Sequence, residues 1–158
     1  MQTRTYKVYK FDELSEEAKE KAIEKLRDIN VNDSFWYETT LDERKDELAK
    51  IGFEEADIFF SGFSSQGDGA SFTCRVDLGK WLEVRPDQKK VYSALHNLSR
   101  DLYSLYIKKS GRYEHEMTMT VEGQYYGEEE EENKQFDIIC DIVLEDARDE
   151  ARRIYRQL

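Results

Sequence analysis

A chain of 158 residues has the length of one domain, enough to bury one sizeable core and too short for two. Charged residues make up 37% of it and hydrophobic ones 39%, a balance that excludes both a disordered polymer and a membrane-embedded chain. The formal net charge of −11 opposes attraction to phosphate backbones and anionic lipid, so neither nucleic acid nor membrane is an expected partner; the same field steers a basic protein surface toward the chain.

Taken in order, residues 3–10 are rich in Thr, Tyr and Val and predict a first strand. Ser15 is placed to cap the helix that follows. Glu16 and Glu17 suit its positive end, and Ala18, Ala22, Ile23, Leu26 and Ile29 fall on one face. A second helix is predicted from about 34 to 51, with Tyr37, Leu41, Leu48 and Ile51 inward and Gly52 as the residue that ends it. Residues 58–61 and 70–77 predict a hairpin; in its second strand Ala70, Phe72, Cys74 and Val76 alternate with Ser71, Thr73 and Arg75. Pro86 opens a predicted helix of about 20 residues in which Val91, Leu95, Leu98, Leu102 and Leu105 keep a 3–4 spacing. From 113 to 122 a strict alternation of Tyr113, His115, Met117, Met119 and Val121 with polar residues predicts the last strand. The run Glu128 to Glu132 predicts a solvated, mobile loop, and Phe136, Ile139, Val143, Ala147, Ala151, Ile154 and Leu158 line one face of a closing helix.

The order β-α-α-β-β-α-β-α implies an α+β fold, a single domain over residues 1–158, with about four mostly antiparallel strands and four helices mainly on one face. Cys74 and Cys140 sit at core-facing positions far apart in sequence and predict two reduced thiols. With no apolar leader and no run near the ~20 apolar residues of a membrane span, the expected compartment is the cytoplasm.

The best candidate for a ligand site is the hairpin tip, residues 61–71. It concentrates neutral hydrogen-bonding groups, Ser61, Ser64, Ser65, Gln66 and Ser71, around one acid, Asp68, fenced by Gly67 and Gly69, with Phe63 as a large apolar side chain that needs a wall. It matches no phosphate-binding glycine pattern and lacks the alternating acids of a calcium loop. His115, with Tyr113 and Glu116 beside it, is the second point of interest. A helical crossover between strands 70–77 and 113–122 would make them parallel and bring His115 to the Asp68 end of the sheet. Two histidines and no cysteine pair give no basis for a metal site, and no cofactor motif occurs.

Four stretches carry a resemblance: residues 9–19 (Tyr-Lys-Phe-Asp-Glu-Leu-Ser-Glu-Glu-Ala-Lys), 60–72 (Phe-Ser-Gly-Phe-Ser-Ser-Gln-Gly-Asp-Gly-Ala-Ser-Phe), 111–116 (Gly-Arg-Tyr-Glu-His-Glu) and 153–158 (Arg-Ile-Tyr-Arg-Gln-Leu). In these the chain resembles a family of small bacteriophage and prophage proteins, some labelled antitoxin-like; Glu116-Met117-Thr118 departs from the Glu-Asn-Ser wording of that position. The resemblance implies an accessory phage protein. The expectation is a non-enzymatic binding protein in the host cytoplasm that interferes with a host defence process by engaging a host protein through its acidic surface. Three alternatives stay open: sequestration of a polar, nucleotide-like small molecule at the 61–71 loop, an antitoxin-like partner binder, and a small enzyme using Asp68 and His115 as an acid–base pair.

Overall fold

The computed structural model describes residues 7–27, 34–62, 65–98, 104–125 and 130–158. The chain divides into two compact units, Met1–Trp36 and Tyr37–Leu158. In the first, a single 3-10 turn, Phe11–Glu13, is closed by the Lys10 amide donating to Glu13 at 2.9 Å. The Ser15 hydroxyl then accepts from the Ala18 amide at 3.3 Å and caps α1, Glu16–Leu26. The cap is where the sequence places it. The expected apolar face is not covered, however: α1 buries none of its residues, and Ile23 and Leu26 are exposed. Among the described residues of this unit, one helix and one turn supply no second layer against which a stripe can pack. Residues 7–10 form no strand, because no described strand pairs with them; residues 3–6 and Ile29 lie outside the described residues.

The second unit is α+β. Its elements are α2 (Phe35–Lys50, which begins two residues before the unit does), β1 (Phe53–Ser61), β2 (Gly69–Val76), α3 (Leu78–Glu83), α4 (Lys89–His96), β3 (Ser104–Lys109), β4 (Met119–Gln124) and α5 (Glu130–Tyr155). The sheet has the order β1-β2-β3-β4, each strand antiparallel to its neighbour. Alternation in β2 buries Phe72, Cys74 and Val76, and β3 adds Leu105 and Ile107. The buried stripe of α5, Ile139, Val143, Ala147, Ala151 and Ile154, closes this core, as the sequence period predicts. A fully buried Phe or Leu in such a core contributes about 1.5–3 kcal/mol.

Gly52 ends α2 with φ 94°, and a Cβ there would lie 2.6 Å from the Trp81 amide nitrogen. Trp81 is fully buried, donates through Nε1 to Asp146 at 2.9 Å, and is covered by the Arg85 guanidinium, which pairs with Asp146 at 2.5 Å.

Four expectations about the second unit need correction. The helix predicted after Pro86 is replaced by one short helix, α4, and a strand, β3, with α3 lying before the proline. Asp77 caps α3 by accepting from the Lys80 amide at 3.1 Å, Pro86 sits inside a turn closed by Gln88 N–H to the Arg85 carbonyl at 3.1 Å, and α4 starts only at Lys89. Leu105 belongs to β3, where Leu105 and Ile107 alternate with Tyr106 and Lys108; its helical spacing from Leu95 and Leu98 concealed a period of two. The last strand begins at Met119, not at 113, since side-chain bonds hold residues 113–117 out of the ladder. Finally, β2 and β4 are not adjacent parallel strands: they run in the same direction because β3 lies between them. Of the glutamate run, Glu130, Glu131 and Glu132 form the first turn of α5, where carboxylates meet the positive end of the helix and Lys134 pairs with Glu130 and Glu131; Glu128 and Glu129 lie outside the described residues.

Candidate functional site

The hairpin tip is closed by its own groups. Asp68 accepts the Ser65 amide at 2.5 Å and the Ser65 hydroxyl at 2.7 Å, and its own amide donates to the Ser65 carbonyl at 3.2 Å. Gly62, with φ 63°, lies directly against this carboxylate: a Cβ there would fall 1.9 Å from the Asp68 carboxyl carbon. Asp68 is therefore turned into the loop as a clasp. Ser61 pairs with Gly69 in the ladder at the mouth of the tip; Phe63 and Ser64 lie outside the described residues.

The connection between β3 and β4 packs against this tip. Gly67 faces the Tyr113 ring, where a Cβ would be 2.7 Å from Cδ1, and Gly69 faces the Glu114 carbonyl and the His115 imidazole, each 3.0 Å from such a Cβ. Both glycines allow an approach that a side chain would prevent. Ser71, fully buried, donates to Glu114 at 3.4 Å, and Glu114 pairs with Lys109 at 2.9 Å; the Lys109 ammonium in turn lies 5.4 Å from the Phe59 ring centroid. His115 Nδ1 lies 3.1 Å from the Met117 amide and 3.0 Å from Glu116 Oε2. These contacts need opposite proton states: the bare nitrogen accepts from Met117, and a protonated one donates to Glu116. Thr118 donates to the His115 carbonyl at 2.7 Å, and Glu116 reaches Arg152 of α5 at 3.5 Å.

Together these residues enclose an open recess of about 470 Å³ lined by Gln66, Gly67, Tyr113, His115, Met117 and Thr118. Around it Tyr113 is 49% and Met117 63% exposed. The structure thus brings Gln66, Gly67, Gly69 and Ser71 to Tyr113, His115 and Glu116, as the sequence reading expected, although through an antiparallel meander. It does not aim Ser65 or Asp68 at His115, whose partners are Met117 and Glu116. Lys109, Glu114, Met117 and Thr118 were missed. A strand reading placed Met117 on the inner face and gave the others no role, because the alternation from Tyr113 to Val121 runs unbroken through Glu116-Met117-Thr118 and carries no signal of the break.

Among the described residues no group of His, Cys, Asp or Glu is arranged to hold a metal ion. Burial pushes both thiols up to about 12, with Asp137 and Asp141 adding to the effect at Cys140, so neither is a nucleophile at neutral pH. No helix among the described residues is long and apolar enough to cross a membrane.

Residues 36–158 match the model of a family described as a domain of unknown function, DUF8835. That span coincides with the second unit, which holds the sheet and the recess. No curated protein and no solved structure matches the chain.

Proposed function

We propose that this chain, which belongs to the DUF8835 family, is a binding protein that engages another protein through the patch formed by the β1–β2 tip and the β3–β4 connection. The observation that carries this reading is the exposure of Tyr113 and Met117, 49% and 63%, on backbone held by half-buried bonds beneath. Large side chains that stay exposed on an ordered frame lose little conformational freedom when a partner covers them, which is how a few anchors come to dominate an interface. Tyr adds a hydroxyl to its apolar ring, and Met adapts to irregular surfaces. Gln66 and the His115 edge supply polar groups at the rim of the same recess.

Net charge supports a basic partner, reached faster at low salt. In the phage setting that the sequence resemblance suggests, the partner is a host protein, and occupying it interferes with the process it serves. A photocrosslinking residue at position 117, in cells that carry the natural partner, tests the reading. One discrete adduct is expected, reduced by Tyr113→Ala and weakened by salt during capture. The same adduct pattern from position 43 on α2, unaffected by Tyr113→Ala, would overturn it.

A second reading has one specific observation in its favour: the recess is large enough for a small polar molecule, with Gln66, His115 and Thr118 as its polar groups. Extraction of the purified protein followed by mass spectrometry, comparing the unaltered chain with Gln66→Ala, separates the two. A stoichiometric compound lost in the variant would favour the small molecule.

A further inference from the structure

Alternate residues of an edge strand turn their backbone groups away from the sheet. The Ser110 amide donates to the Thr118 carbonyl at 2.9 Å, and the register continues through Lys108 with Thr120 and Tyr106 with Glu122. Thr118 therefore bonds to Ser110 just past β3, Thr120 and Glu122 bond to β3, and Met119, Val121 and Gly123 present N–H and C=O to the outside. The Met119 carbonyl fits this parity: it accepts from the Arg148 guanidinium at 3.2 Å, from the helix side and not from β3. No described residue bonds to the outward backbone groups of Val121 and Gly123.

The opposite edge of the sheet is built differently. β1 is interrupted by a register shift between Glu54 and Asp57, where Glu55 takes φ 56°, a bulge of the kind that blunts an edge against pairing. β4 has no such shift from Met119 to Gln124.

Along β4 runs a groove of about 890 Å³, walled by Val121 and Gly123 on the strand and by Phe136, Asp137 and Asp141 on α5. Gly123 shapes it: a Cβ there would lie 2.5 Å from Phe136 Cζ, so the glycine lets the ring lie over the strand. Asp137 and Asp141 stand one helical turn apart, both exposed, and neither forms an ion pair with a described residue. Glu122 adds a third carboxylate to the lining, against one cation, Lys108.

We propose that the β4 edge and this groove take an extended segment of a partner protein as a fifth strand, with Lys or Arg at alternate positions. Main-chain bonds to Val121 and Gly123 would hold the segment, and side chains on its helix-facing side would meet Asp137 and Asp141. Charge complementarity selects this occupant over a second copy of the chain. Two copies paired edge to edge would each bring a net charge of −11 and place the Asp137 and Asp141 walls against each other. The surface is separate from the Tyr113 and Met117 patch, and the proposal does not rest on that patch.

The test is fluorescence anisotropy on the full chain with a labelled peptide of about eight residues alternating Lys and Val, beside its Glu and Val counterpart. The basic peptide should bind, the acidic one should not, and the double variant Asp137→Lys, Asp141→Lys should weaken binding by about tenfold or more. Val121→Pro removes one outward amide without touching a bond to β3 and should weaken binding to a similar degree. Tyr113→Ala should leave it unchanged, which keeps this outcome apart from that of the patch. Equal binding of the two peptides, or binding indifferent to both the charge variant and Val121→Pro, overturns the proposal. A dimer in sedimentation that Val121→Pro dissolves, with no peptide bound, overturns it in favour of self-pairing.

Discussion

The tip between β1 and β2 and the connection between β3 and β4 touch each other, yet they are held by opposite means. The tip is tied by short local bonds, Asp68 to Ser65, around a glycine with a left-handed backbone. The connection, beside local bonds such as Thr118 to the His115 carbonyl, is anchored through groups remote in sequence, Glu114 to the buried Ser71 and Glu116 to Arg152. Local ties use up Ser65 and Asp68. Remote ties use Glu114 and Glu116, and leave Tyr113 and Met117 standing outward. The acid that stands out in the sequence thus serves the loop, and less conspicuous residues form the surface.

The largest effect should come from Gly62→Ala. Its new methyl would enter the Asp68 carboxylate at a backbone angle that disfavours side chains, at a cost of about 2–4 kcal/mol measured by urea unfolding. A cost below about 0.5 kcal/mol would mean that the tip is not clasped as described. Next, the double variant Tyr113→Ala, Met117→Ala should lower capture of the partner by about tenfold or more while moving unfolding free energy by no more than about 0.5 kcal/mol. If stability falls with capture, the two side chains are structural and the division between the loops fails. Asp68→Ala should show the reverse pattern, losing about 1–2 kcal/mol of stability through its bonds to Ser65 while the His115 resonances stay in place. Lys109→Met comes last. It leaves Glu114 half-buried without its cation, costs about 1 kcal/mol, and should speed amide exchange in residues 113–118 more than in the tip.

Much of the fold was legible in the sequence because its signals are local. Ser15 is a cap, Gly52 is a stop, the alternation from Ala70 to Val76 is a buried strand, and the stripe from Ile139 to Ile154 is a core helix. Each follows from the period of one element packed on one face. β3 was not legible, since Leu105 satisfies a helical and a strand period at once and only pairing with Val76 and Gly123 chooses between them. The uncovered face of α1 was not legible either, because a stripe announces an apolar face without saying whether anything lies opposite.

The same division holds for the site. From the sequence alone came the identity of its parts: a glycine-fenced polar tip and a second segment around His115. Only the tertiary structure decided how they are used. Where a carboxylate points depends on the nearest donor, and for Asp68 that donor is Ser65, three residues away. Whether Tyr113 and Met117 are core or surface depends on where the ladder begins, and it begins at Met119. The edge of β4, which no described strand pairs with, was equally invisible, because an edge is the absence of a neighbour, and neighbours in a sheet are chosen by the whole chain.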